Sequence, residues 1–173
     1  RSGRVAMRTG AIARVENDGL RMESGELLAA DVIVTATGLR MELMPGVELR
    51  VDGQPVRLEE TFGYMGCMYS GVPNLVSTFG YSNASWTLKA ELICEYACRL
   101  LGQLEDSGAR YCVAQADGVV ATGEAPLNLD AGYVQRARER LPKQGGALPW
   151  RNLHDYLRDR RLYRRDRIDD GVL

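Results

Sequence analysis

The sequence predicts an α/β fold, and three stretches carry that expectation. DVIVTATG at 31–38 places Val32, Ile33 and Val34 in a continuous apolar run that closes on a glycine. Such a run suits a strand covered on both faces, as in a parallel sheet. NLVSTF at 74–79 reads as a second strand, entered through Pro73. A long amphipathic helix then follows, expected at roughly 84–101.

The remaining elements follow in chain order. ARV at 13–15, LRM at 20–22 and LLAA at 27–30 are short strand-like pieces. Asn17-Asp18-Gly19 and Ser24-Gly25 supply the turns of a short β-meander. VELRVDGQPVRL at 47–58 alternates apolar and polar residues, and Asp52-Gly53 marks a hairpin. Residues 103–128 read as loop and short strand, with YCVA the only apolar run. GYVQRARERL at 132–141 predicts a short helix, PKQGGALP a loop, and RNLHDYLRDRRLYRR a last helix. No internal repeat or low-complexity tract is present.

Composition bounds the function. The chain has 173 residues, 45% of them hydrophobic, which suffices for one domain or parts of two. A net charge of −1 gives no bulk attraction to nucleic acid or an anionic membrane. No apolar run approaches the ~20 residues that span a bilayer. RSGRVAMRTG at the start lacks the apolar core of a signal peptide, so a cytoplasmic chain with reduced thiols is expected. The abrupt start in strand-like sequence predicts a fragment with its natural beginning upstream. Cys67, Cys94, Cys98 and Cys112 are expected as buried small hydrophobes, and with His154 the sole histidine no metal site is expected.

On the helix at 84–101, Ala90, Leu92, Ile93, Cys94, Tyr96, Ala97, Leu100 and Leu101 share one broad face, expected to pack on a sheet. Glu95 and Arg99 are spaced for an i,i+4 pair. Lys89 projects from the apolar arc. It either snorkels past the helix end or meets a carbonyl, a carboxylate or a bound anion. Ser82, Asn83 and Ser85 are cap candidates, and the free amides of the first turn favour an anion or a ligand oxygen. Tyr64, Met65, Met68 and Tyr69 read as core before pocket lining. Adjacent His154 and Asp155 do not face each other on a helix, so no catalytic pair is expected there. RDRRLYRRDR reads as a solvated, ion-paired helix face, with an interdomain or peripheral membrane contact as the alternative.

Four stretches resemble the C-terminal part of the class B flavoprotein monooxygenases, the family of flavin-containing and Baeyer–Villiger enzymes. They are LLAADVIVTATGL, SGVPNLVSTFGYSNASWTLKAELICEYACRLL, GYVQRARERLPKQGGALPWR and the tail IDDGVL. The likeness is strongest to the bacterial branch with the thioamide-prodrug activator of mycobacteria. It implies the C-terminal fragment of a flavoprotein with two dinucleotide-binding domains. Residues 1–40 would end the NADPH domain and return to the FAD domain, 41–103 would complete the FAD domain, and 104–173 would form a helical extension. The two GxGxxG loops and the FxGxxxHxxxW signature, absent here, would lie upstream. The implied reaction uses NADPH, FAD and O2 and proceeds through a C4a-(hydro)peroxyflavin. It inserts oxygen into a ketone or oxidises sulfur or nitrogen. Thr37 and Gly38 at the strand end, and Asn83, Ala84, Ser85, Trp86 and Lys89 at the helix start, are the implied FAD contacts. No catalytic side chain is implied, and the fragment alone is expected to be inactive. Self-association through bared sheet edges, or a different FAD oxidoreductase, are the alternative readings.

Overall fold

The computed structural model describes residues 4–127, 129, 131–168, 170, 171 and 173. Asp169 and Val172 of the IDDGVL tail lie outside the described residues. The chain divides into two units, one ending at Gly38 and the other running from Leu39 to Leu173.

The first unit holds the expected meander. Strands β1 (Ile12–Glu16), β2 (Gly19–Met22) and β3 (Leu27–Ala29) form an antiparallel sheet in chain order. Gly19 is required where β2 meets β3: a Cβ there would lie 2.0 Å from the Leu28 carbonyl oxygen. Glu16 anchors Arg21 at 2.8 Å and Arg14 at 2.7 Å on the sheet surface. DVIVTATG, by contrast, does not form the expected strand. Val32 and Val34 are 78% and 85% exposed. A strand exists through its hydrogen-bonded neighbours, and among the described residues none pairs with this segment.

In the second unit, β4 (Arg50–Val51) and β5 (Gln54–Pro55) make the predicted hairpin. Asp52 and Gly53 both take positive φ, +50° and +80°, as a tight turn matched to strand twist requires. A second ribbon pairs β6 (Gly63–Tyr64) with β7 (Met68–Tyr69). All sheet pairings among the described residues are antiparallel, and the single parallel contact is the bridge of Phe62 with Lys143. The expected parallel-type strands are therefore not formed within these residues. NLVSTF is irregular too. Its Asn74 exchanges bonds with Cys112, taking the Cys112 amide on Oδ1 and giving its own amide to the Cys112 carbonyl, both at 3.0 Å. That exchange also holds YCVA in place without a strand.

Three helices complete the unit: α1 (Trp86–Ser107), α2 (Gly132–Ala137) and α3 (Tyr156–Arg165). α1 runs past its expected end because Gly102 costs a helix only about 1 kcal/mol, and Leu104 beyond it still packs on the core. It stops at Gly108, whose left-handed φ of +68° closes the C-terminus. α3 starts later than expected, at its cap. Asp155 accepts the amides of Leu157 and Arg158 at 3.0 and 3.2 Å, while His154 sits at φ +51° and cannot continue a helix upstream.

α1 packs mainly against α3, and against the two-stranded β6–β7 ribbon through Tyr64 and Met68. Leu92, Ile93, Tyr96 and Leu100 meet Tyr64, Met68, Trp150 and Tyr163 in one core that spans both sides of residue 103. Burial of each such side chain contributes about 1.5–3 kcal/mol. The buried arc is narrower than the sequence implied: Leu101, Cys94 and Cys98 are exposed, and only Cys67 and Cys112 are buried thiols. Glu95 and Arg99 do not pair with each other. Glu95 binds Arg164 of α3 at 2.7 Å, and Arg99 donates to the carbonyls of Tyr163 and Asp166.

Candidate functional site

The corner between Phe79 and Lys89 is built around a glycine. A Cβ on Gly80 would sit 2.2 Å from the Trp86 ring, so only glycine lets the indole lie on the backbone. Phe79 packs on that indole in a tilted arrangement, ring centroids 4.9 Å apart and planes at 55°. Trp86 still leaves 53% of its surface open.

Ser85 occupies the N-cap position of α1 in extended geometry, yet its hydroxyl bonds the Thr87 hydroxyl at 2.8 Å and caps no amide. Among the described residues, no side chain caps the first-turn N–H groups, which carry the partial positive charge of a helix start. Asn83, Ala84 and Ser85 are exposed around them. The Asn83 amide is turned away, donating to the His154 carbonyl at 3.1 Å.

Lys89 meets a carboxylate. Its ammonium lies 2.5 Å from Oδ2 of Asp159 and 3.3 Å from Oδ1 of Asn152. Lys89 and Asp159 are 1% and 3% exposed. Tyr81 donates to the same Asp159 oxygen at 2.8 Å, and the rings of Tyr81 and Tyr163 flank the ammonium at 5.0 and 5.2 Å. Asp159 is thereby corrected from a solvated ion-pair residue to a buried partner. Cys67 borders this cluster. Burial pushes its thiol up to about 12 against the opposing pull of the Lys89 charge.

Two cavities flank the corner. A polar one of about 600 Å³ is lined by Ser82, Asn83, Gln135, Arg138, Arg151 and His154, among others. A narrow apolar one of about 50 Å³ lies among Met68, Tyr69, Phe79, Leu127 and Leu141. His154 and Asp155 are not a catalytic pair: the imidazole Nε2 contacts the Pro126 carbonyl at 2.8 Å while Asp155 caps α3.

Thr37 and Gly38 lie in the other unit, exposed, with Gly38 at φ +88°. The structure brings Asn83, Ala84, Ser85, Trp86 and Lys89 together at one corner. Tyr81, Asn152 and Asp159 escaped the sequence reading. The signal for Asp159 was its place one helical turn before Tyr163 on an arginine-rich helix, opposite a lysine that needed an acceptor.

Uncapped amides and an exposed indole form a donor set suited to the carbonyl edge of a flat heterocycle. The chain aligns over 99–100% of its length with proteins named FAD-containing or FAD-binding monooxygenases, and is similar to a segment of each. The FAD-containing monooxygenase EthA of Mycobacterium tuberculosis is 45% identical over 173 residues, all of this chain and 35% of EthA. The putative FAD-containing monooxygenase MymA of the same organism is 40% identical over 176 residues, covering 99% of this chain and 35% of MymA. The probable FAD-binding monooxygenase AlmA of Acinetobacter baylyi is 37% identical over 174 residues, covering 100% of this chain and 35% of AlmA. The chain therefore spans about a third of the length of these relatives. No family profile and no solved structure matches it. Among the described residues, no helix is long and apolar enough to cross a membrane.

Proposed function

We propose that the chain is the C-terminal part of an FAD- and NADPH-dependent monooxygenase and that its share of the work is to seat and shield the flavin. The single observation behind this reading is the start of α1, where a fixed first turn leaves its amides without side-chain acceptors. The amides of Trp86, Thr87 and Leu88 would hold flavin carbonyl oxygens. The Trp86 indole would wall the ring and exclude water. Lys89, sealed on Asp159, would act through the position of the turn and its charge. Thr37 and Gly38 would lie at the end of a strand completed by upstream sequence, where a small residue admits a cofactor closely. FAD, when bound, supplies the redox chemistry that activates O2, with NADPH as the reductant. The substrate is a ketone, converted by Baeyer–Villiger insertion, or a sulfur or nitrogen centre. The polar cavity beside Asn83 offers room for part of it.

The test is purification of the full-length protein that carries this chain. A flavin absorbance band and NADPH-dependent O2 uptake stimulated by ketones or sulfides are expected; a colourless protein, or uptake indifferent to both substrates, would overturn the reading. The 173-residue chain alone should purify colourless and inactive, since the phosphate-binding loops are not in it. A second reading, self-association, is favoured by the exposed Val32 and Val34. Light scattering that gives a compact monomer would count strongly against it.

A further inference from the structure

Among the described residues, the side-chain hydrogen bonds that tie the corner carrying the α1 amides to the rest of the unit run to residues 152–159. Asn83 donates to the His154 carbonyl at 3.1 Å, Tyr81 to Asp159 at 2.8 Å, and Lys89 to Asp159 at 2.5 Å and Asn152 at 3.3 Å. Two of these meet on one oxygen, Oδ2 of Asp159. Asp159 in turn is set by the first turns of α3, where its amide donates to the Asp155 carbonyl at 2.9 Å and Asp155 caps the helix.

We infer that Asp159 is a positioning residue for flavin binding: through Tyr81 and Lys89 it fixes the approach to α1 and the direction of its first-turn amides. The inference rests on the flavin reading above. A buried carboxylate is an exacting way to hold a backbone. Its oxygen accepts two charge-assisted bonds at defined angles, whereas apolar contacts of the same volume are not directional. Well-packed apolar residues often replace a buried ion pair with little loss of stability. Stability and geometry are therefore separable roles for this pair.

That distinction gives the test. Three forms of the full-length protein are compared: wild type, Asp159→Leu, and the double variant Asp159→Leu with Lys89→Met. Thermal melting, amide hydrogen exchange at residues 81–89 and at 92–100, and FAD affinity are measured. Asp159→Leu alone should melt lower, since it strands an ammonium. The double variant should regain most of the melting temperature and keep normal exchange at 92–100. It should nevertheless exchange at 81–89 at least about tenfold faster and bind FAD at least about tenfold more weakly. A double variant with wild-type exchange at 81–89 and wild-type affinity would overturn the inference, because the pair would then be a replaceable part of the core. If the wild-type protein holds no FAD, the flavin reading fails, while the exchange comparison still decides whether Asp159 orders the corner.

Discussion

Two segments expected to meet the flavin differ in how this chain holds them. The corner at 80–89 is fastened from within by Gly80 against Trp86 and by Tyr81 and Lys89 on a buried Asp159. The segment at 31–38 has no ladder partner among the described residues, and Val32 and Val34 face solvent. The first owes its shape to side chains that the chain supplies. The second has the composition of a buried strand but none of the burial. A β-rich apolar run is a request for neighbours, whereas a buried lysine with a carboxylate on it is a finished structure.

The largest effect should come from breaking the fastening. Asp159→Leu leaves the Lys89 ammonium buried without its counter-ion, and urea unfolding should show a loss of about 3–5 kcal/mol. Added Lys89→Met should return most of it. Next is the glycine: Gly80→Ala drives a methyl into the Trp86 ring, costing about 1–3 kcal/mol. Indole fluorescence should change as Trp86 lifts off, in a Trp150→Phe background that leaves it the only reporter.

A smaller effect belongs to the α1–α3 seam. Hydrogen bonds from the Arg164 guanidinium hold the Glu95 carboxyl below its ordinary 4.5. The folded form releases this proton more readily than the unfolded one. The contribution is thus complete above the ordinary carboxylate range and is lost as pH falls through the lowered folded value. Glu95→Gln should lower stability slightly at neutral pH and flatten that acid limb, with little change in the rest of the profile. The smallest effect should be at the unfastened segment. Val34→Ser should alter the stability of the 173-residue chain by no more than about 0.5 kcal/mol, as judged by its urea midpoint. A larger loss would mean that this segment is already packed, and the comparison would collapse.

These differences also explain what was legible in the sequence. The meander, the Asp52-Gly53 hairpin and the helix around Leu92 to Leu100 could be read because their signals are local: turn residues, alternation and 3.6-residue spacing. The strands at 31–38 and 74–79 were overcalled because a strand depends on distant partners that composition does not reveal. The helix start at 83–86 was legible through its glycine and small polar residues. The acceptor of Lys89 was not, since it lies 70 residues further on, inside an arginine-rich run that reads as surface. Glu95 and Arg99 had the spacing of a pair, yet each found a better partner across the α3 contact.

The most direct measurement is amide hydrogen exchange at Trp86, Thr87 and Leu88 in the full-length protein, with and without bound FAD. Slowed exchange at these three positions on FAD binding, with Leu92 to Leu100 unaffected, is the predicted result. Equal rates in both states, in a protein whose flavin is demonstrably bound, would contradict the claim that this turn holds the cofactor.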